Sequence, residues 1–150
     1  KVIVDKDSPF LKSLIVNRGS KSGIKKGMPV VDENYLVGRI VEVNYLSSRI
    51  LLLNDLNSRI PVAIEPLSTQ AILSGMGESE PELHYLPELF VHIDGNTVFT
   101  SGKDGIFSPG IPIGKTLVEK NILKVKLFSD PNQLSYVNII LVKKSNKGLE

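Results

Sequence analysis

The sequence contains no cysteine and no tryptophan, and its aromatic residues are limited to four tyrosines and five phenylalanines. Without cysteine, the chain has no disulfides, no Cys-ligated zinc or iron–sulfur centre and no thiol catalysis. No apolar run exceeds four residues, whereas a membrane-spanning helix needs about 20. A net charge of +2 is too small for the dense basic surface of a nucleic-acid-binding protein. The 41% of hydrophobic residues, mixed with charges of both signs, indicates a globular domain with a packed core.

Short β-branched runs, bounded by turn residues, predict an all-β fold. Twelve glycines and nine prolines are spread along the 150 residues and interrupt any helical periodicity. Many short strands at this spacing are typical of small barrels or sandwiches. We predict up to twelve strands, at Lys1–Val4, Lys12–Asn17, Pro29–Asp32, Leu36–Asn44, Ser48–Leu53, Arg59–Ile64, Gln70–Gly75, Leu83–Leu86, Thr97–Ser101, Ile113–Glu119, Lys124–Phe128 and Tyr136–Lys143.

An internal repeat divides the chain into two halves. The segments Gly23–Val30 and Gly105–Ile113 both read Gly-Ile, a short polar stretch, Gly, an apolar residue, Pro and a β-branched residue. A Gly-basic pair follows each copy, Gly38-Arg39 in the first and Gly114-Lys115 in the second. A repeat of half the chain length predicts two similar small β units.

The polar stretch Glu65–Ser68 is the best boundary between these units. We therefore expect a first unit at residues 1–67 and a second at 68–148. The terminal residues 149–150 are interpreted as a remnant of cloning. Because the chain starts at Lys1 rather than Met, we expect it to be a piece of a longer protein.

Candidate catalytic groups are few. His84 and His92 are the two histidines, and they lie in an acidic, loop-like segment that favours solvated surface over a metal site. Ser74, Ser101 and Ser108 stand at Gly- or Pro-containing turns, but none matches the Gly-x-Ser-x-Gly pattern of nucleophilic serines. A Ser-His-Asp site converges only in the folded chain, so a small β-barrel serine hydrolase of the chymotrypsin-like kind remains the alternative function. A carbohydrate-binding module is a third possibility, which the lack of tryptophan disfavours.

A protein-binding surface is then the preferred interpretation. Aromatic and large apolar residues in polar loops mark such surfaces, although core packing explains many of them equally well. The candidate partner-binding residues are Tyr85, Leu86, Phe90, Phe107, Phe128 and Tyr136.

Several ordered motifs resemble one protein family. The sequence is similar to the extracytoplasmic region of the MreC family of rod-shape-determining proteins, and the resemblance covers roughly residues 15–142. The motifs that carry it are Asn17–Val31, Leu36–Val43, Ser47–Leu53, Ala71–Gly75, His84–Pro87, Thr100–Gly102 and Gly105–Gly114.

The resemblance implies two small six-stranded β barrels in tandem. It also implies a non-enzymatic scaffold of the bacterial cell-elongation machinery, with no cofactor, no metal and no catalytic residues. Its expected partners are MreD, further copies of itself and the elongation transpeptidase, a class B penicillin-binding protein that it would activate in peptidoglycan synthesis. The expected location is the periplasmic face of the cytoplasmic membrane, where an N-terminal helix absent from this sequence anchors the full-length protein.

Overall fold

The computed structural model describes residues 2–4, 12–103, 105, 107–134 and 136–141, and these residues form an all-β fold. The expected remnant at 149–150 lies outside the described residues. Within them, no helix has the length and hydropathy to cross a bilayer. The strands are β1 (Val2–Val4), β2 (Ser13–Val16), β3 (Pro29–Asp32), β4 (Tyr35–Val43), β5 (Ser48–Leu52), β6 (Arg59–Ile64), β7 (Thr69–Ser74), β8 (Glu82–His84), β9 (Thr97–Thr100), β10 (Pro112–Glu119), β11 (Ile122–Leu127) and β12 (Asn138–Ile139).

A closed six-stranded barrel forms the second half of the fold. Its strands follow the order β10-β11-β8-β7-β6-β9, and every neighbouring pair is antiparallel. Alternate residues point inward, as closure requires. In β6, for example, Ile60, Val62 and Ile64 are fully buried, whereas Arg59 is exposed. Apolar side chains from all six strands fill the interior, so this barrel is a solid core rather than a channel.

The first half is a curled six-stranded sheet in the order β1-β2-β5-β4-β3-β12. It encloses its own apolar core, which includes Val16, Val30, Ile40 and Ile50. The expectation of two closed barrels is met by one barrel only, because the edge strands β1 and β12 are not paired with each other in the described part of the sheet. Edges of two and three residues offer few ladder hydrogen bonds with which to close it.

Two strands lie in a different unit from the one predicted: β6 belongs to the barrel, and β12 belongs to the first sheet. The boundary at 67/68 falls in the turn between β6 and β7, which pair along their whole length from Arg59↔Ser74 to Ile64↔Thr69. The polar stretch Glu65–Ser68 is therefore a hairpin turn, and the chain changes sheet earlier, between β5 and β6. In return, β12 from the end of the chain pairs with β3 of the first sheet. Hairpin turns and linkers share a polar composition, so composition alone does not distinguish them.

The connection between the units is packed and partly polar. Val31, Leu36 and Leu53 of the first half join the barrel core rather than their own sheet's core. The fully buried Asp55 accepts backbone N–H bonds from Lys12 and Asn57, both at 2.7 Å. The shared core and the bonded carboxylate hold the sheet and the barrel together.

The internal repeat is visible in matching backbone geometry. Gly38 in β4 faces Leu52 of β5, and Gly114 in β10 faces Leu127 of β11. A Cβ at either glycine would stand 2.3 Å from a carbonyl oxygen of the neighbouring strand, Leu51 O or Lys126 O. Only glycine fits where two backbones approach so closely. The equivalent positions support a common origin of the β4–β5 and β10–β11 hairpins.

Candidate docking surface

The most apolar exposed segment is the long connection between β8 and β9, residues 85–95, which we call the apolar loop. Four of its large apolar side chains face solvent: Tyr85 (83% exposed), Leu89 (92%), Val91 and Ile93. Scattered single apolar residues are normal on protein surfaces, whereas a contiguous set in one loop marks an interaction site.

Hydrophobic contacts and hydrogen bonds attach the apolar loop to the barrel. Leu86 and Phe90 are half-buried and pack against the barrel core. Thr116 of β10 then holds the end of the loop, because its hydroxyl donates to the Ile93 carbonyl at 2.6 Å and its own carbonyl accepts the Gly95 N–H at 2.9 Å. Asp94 Oδ1 accepts the Val118 N–H at 2.7 Å. The exposed side chains are therefore presented by a supported backbone, which lowers the entropy lost on docking.

Tyr85 also borders a shallow groove on the outer barrel wall. The groove measures about 420 Å³ and is lined by Pro61, Gln70, Ala71, Ile72, Tyr85 and Lys103. Tyr85 has a left-handed backbone (φ 61°), an uncommon conformation for a residue with a side chain. Its ring contacts His84 edge-on, with centroids 6.3 Å apart. The groove and the apolar loop form one continuous surface through Tyr85.

Three of the six predicted partner-binding residues, Tyr85, Leu86 and Phe90, lie together in the apolar loop. Tyr85 is exposed, while Leu86 and Phe90 support the loop from inside. Phe107 corrects the prediction, because it is only 4% exposed and belongs to the barrel core. It follows the Gly-Ile pair of the second repeat, where the first repeat has the exposed Lys25, but an aromatic ring gains more free energy by turning inward.

Phe128 and Tyr136 lie elsewhere. Phe128 follows β11 toward the opposite end of the barrel, where its ring packs against Tyr35 of the first half with centroids 4.9 Å apart. Tyr136 is exposed in the segment that leads back to β12. The structure therefore separates Phe128 from the apolar loop and places it against the first half of the fold, while Tyr136 precedes β12.

Val91 and Ile93 are the functional candidates that sequence reasoning missed. Together with Leu89 they repeat every second residue, at 89, 91 and 93, in an otherwise polar and acidic stretch. Such alternation normally predicts a half-buried strand. Here the residues belong to a loop that pairs with none of the described strands, and all three are exposed.

The proposed nucleophiles do not form a catalytic site. Ser74 Oγ is buried and has no hydrogen-bond partner within the described part of the chain, and Ser101 Oγ accepts the Lys103 N–H at 3.2 Å. His84 Nε2 faces Glu82 Oε1 at 3.1 Å. Among the residues that the structure describes, no serine hydroxyl is hydrogen-bonded to a histidine. A general base must lie within hydrogen-bond reach of its nucleophile, so the hydrolase alternative has no support in this geometry.

Charged groups occupy the neighbouring wall of the barrel. Lys124 Nζ donates to Glu119 Oε1 at 2.9 Å, and this hydrogen bond lowers the pKa of Glu119 and raises the pKa of Lys124. Glu78 and Glu80 add attraction for the same ammonium group. No group of three or more potential metal ligands comes together in the described residues. This wall is less suited to apolar docking than the loop.

Comparison with known proteins gives a consistent result. Residues 2–141 match the family model described as the barrel core of the rod shape-determining protein MreC. The cell shape-determining protein MreC of Caulobacter vibrioides is 39% identical over 146 residues, which is 95% of this chain. The match covers 42% of that relative, so the chain spans less than half of its length.

Solved structures share the fold. The chain superimposes on MreC from Pseudomonas aeruginosa with a TM-score of 0.82 and 27% identity, covering 93% of this chain and 99% of the other. A more distant neighbour, at 16% identity and a TM-score of 0.65 over 85% of this chain and 82% of the other, is the MreC of a complex with penicillin-binding protein PBP2 from Helicobacter pylori. At that identity the likeness shows the fold alone.

Proposed function

Because this chain belongs to the MreC family of rod shape-determining proteins, we propose that it is the docking part of a cell-shape scaffold that binds and activates a class B penicillin-binding protein, the elongation transpeptidase. It makes and breaks no bonds itself. The observation that carries the proposal is the apolar loop, an exposed apolar surface on a rigid barrel. The Helicobacter pylori relative, whose structure is a complex with PBP2, supports the class of partner.

The energetics of such docking depend on a few side chains. Burying one Leu, Ile or Phe side chain stabilises a complex by roughly 1.5–3 kcal/mol. Tyr85, Leu89 and Ile93 are each more than half exposed and lose most of that exposure if a partner covers the loop. Two or three such anchors usually dominate an interface of this kind.

Activation follows from differential affinity. A scaffold shifts its partner toward a synthesis-competent conformation only if it binds that conformation more tightly than the inactive one. A ten- to hundredfold activation needs about 1.4–2.8 kcal/mol of difference. One anchor contact that forms with the active conformation of the partner, but not with the inactive one, supplies a free-energy difference of this size.

The remaining parts of the proposal concern the whole protein. We propose that it lies at the periplasmic face of the cytoplasmic membrane, held by an N-terminal anchor, and that it associates with MreD and with further copies of itself. In the described residues β1 and β12 are edge strands of the first sheet, and unpaired strand edges are a common route to self-association.

A binding experiment tests the proposal. The periplasmic part of the class B penicillin-binding protein from the same organism is titrated with this chain, and the dissociation constant is measured by calorimetry. The double variant Tyr85→Ala/Leu89→Ser is expected to weaken binding by about a hundredfold or more, because two anchors are lost. Unchanged affinity contradicts docking through the apolar loop.

The matched control is Leu56→Ser. Leu56 is also an exposed leucine, but it lies in the turn before β6, at the end of the barrel away from the apolar loop. Its loss is expected to leave the affinity unchanged. Transpeptidase turnover with saturating wild-type chain then tests activation separately. If binding is intact but turnover is constant, the chain recruits the partner without activating it, and the activation part of the proposal is wrong.

A further inference from the structure

A second surface lies at the far end of the first sheet and has a different chemistry. Residues 17–28 connect β2 to β3, residues 44–47 connect β4 to β5, and together we call them the cationic tip. Two backbone hydrogen bonds join the connections: Ser20 N–H to Asn44 O at 2.9 Å and Lys21 N–H to Tyr45 O at 3.0 Å. A Cβ at Gly19 would stand 2.0 Å from Asn44 O, so the two loops are in direct backbone contact. The tip is therefore one built surface rather than two free loops.

Charge on the tip has a single sign. Arg18, Lys21, Lys25 and Lys26 are all exposed, and neither connection contains an acidic residue. Since the chain has 18 basic and 16 acidic residues in total, 14 basic and 16 acidic residues remain outside the tip. The rest of the protein therefore carries a net negative charge. The nearest carboxylate in sequence, Glu42, is paired with Arg49 at 3.0 Å and so does not neutralise the tip.

The apex of the tip is apolar. Tyr45 and Leu46 are 64% and 61% exposed, side by side in the β4–β5 turn. They form one wall of a cleft of about 220 Å³, and Arg18 and Lys21 contribute to the same cleft. An aromatic and an aliphatic side chain at the apex, with two cations in the same cleft and two more on the same connection, suit the headgroup region of a bilayer.

We propose that the cationic tip docks on the surface of an anionic phospholipid bilayer. Tyr45 and Leu46 enter the headgroup region, while the four cations remain among the lipid phosphates. Charge complementarity favours an anionic surface. The exposed apex favours a bilayer over a soluble polyanion, because a polyanion binds the cations but provides no apolar environment for Leu46. The tip lies at the opposite end of β5 from the connection to the barrel. A bilayer bound there leaves the apolar loop free.

Vesicle co-sedimentation tests this proposal. The chain is mixed with vesicles of phosphatidylcholine alone, or with about 30% phosphatidylglycerol, at low and high salt. Binding is expected only with phosphatidylglycerol and is expected to fall with salt. The double variant Lys25→Gln/Lys26→Gln is expected to lower the partition coefficient about 25-fold, since each cation near an anionic surface contributes about fivefold. Leu46→Ser is expected to weaken binding severalfold at unchanged charge.

Matched controls distinguish binding through the tip from nonspecific electrostatic or hydrophobic binding to the vesicles. Lys115→Gln/Lys126→Gln removes the same charge from two exposed, cross-strand neighbours on the barrel, and Leu89→Ser removes an exposed leucine from the apolar loop. Both are expected to bind vesicles as the wild type does. Equal loss in the Lys115/Lys126 variant, or no binding to phosphatidylglycerol, overturns the proposal. Competition by soluble polyglutamate or inorganic phosphate, with no effect of Leu46→Ser, identifies a polyanion site instead and also overturns it.

Discussion

Replacement of Phe107 by alanine distinguishes a core residue from a docking residue. Phe107 is 4% exposed and packs in the barrel core with residues such as Ile60 and Val98. Phe→Ala substitutions in packed cores cost about 3–5 kcal/mol, because the transfer free energy of the ring is lost and a cavity remains. In a chain of about 150 residues, each kcal/mol lowers the melting temperature by roughly 2–4 °C. We therefore expect Phe107→Ala to lower it by about 6–20 °C.

Thermal unfolding followed by circular dichroism measures the shift. Phe107→Leu keeps most of the apolar volume and is expected to lose much less stability. Tyr85→Ala is the opposite case, because its side chain is exposed, and we expect its melting temperature to stay within about 2 °C of the wild type. The reasoning is refuted if Phe107→Ala melts like the wild type while it binds the transpeptidase more weakly. That result would place Phe107 at the surface, as its position in a polar loop predicts.

Three further predictions concern stability and ionisation. Gly75→Ala is expected to destabilise the fold by at least about 2 kcal/mol in urea unfolding, because its Cβ would stand 1.9 Å from the Asp55 carbonyl oxygen. Asp55→Ala is expected to cost roughly 2–4 kcal/mol in the same assay, since two backbone N–H groups at the connection between the units lose their acceptor. Lys124→Met is expected to raise the pKa of Glu119 toward its ordinary value in a carboxyl NMR titration. Because folding lowers that pKa, the Glu119 pair stabilises the wild type above the unfolded-state pKa and loses this contribution as the pH falls through the lowered value.

Local patterns in the sequence predicted the strands well. Each of the twelve strands has a predicted counterpart, because β-branched runs and turn residues act over a few neighbours. The repeat also predicted two similar β units, and the glycine of each Gly-basic pair, Gly38 or Gly114, lies where a neighbouring backbone leaves no space for a Cβ.

Long-range pairing was not predictable from these patterns. Nothing local shows that β6 belongs to the barrel, or that β12 returns to pair with β3. Strand pairing depends on which apolar faces meet in the folded chain. Val31 and Leu36, for example, belong to strands of the first sheet but pack in the core of the barrel. This is why the number of strands per unit was right, whereas the sheets to which β6 and β12 belong were not predicted.

The docking surface shows the same limit. Exposure reasoning found Tyr85 but also selected Phe107, which is buried, and it overlooked Ile93, which is exposed. An apolar side chain in a polar loop is buried either in the protein's own core or in an interface with a partner. The surrounding sequence is similar in both cases. The cationic tip was overlooked for a related reason. Lys25 and Lys26 look like an isolated pair until the fold joins their connection to the one that carries Tyr45.

The most direct test of the account is site-specific photocrosslinking at position 89 in cells of the parent organism. A photoreactive amino acid in place of Leu89 is expected to yield a covalent product with the class B penicillin-binding protein, and the same amino acid in place of Leu56 is expected to yield none. A product from position 56 alone, or none from position 89 while the rod shape of the cells is maintained, would contradict docking through the apolar loop.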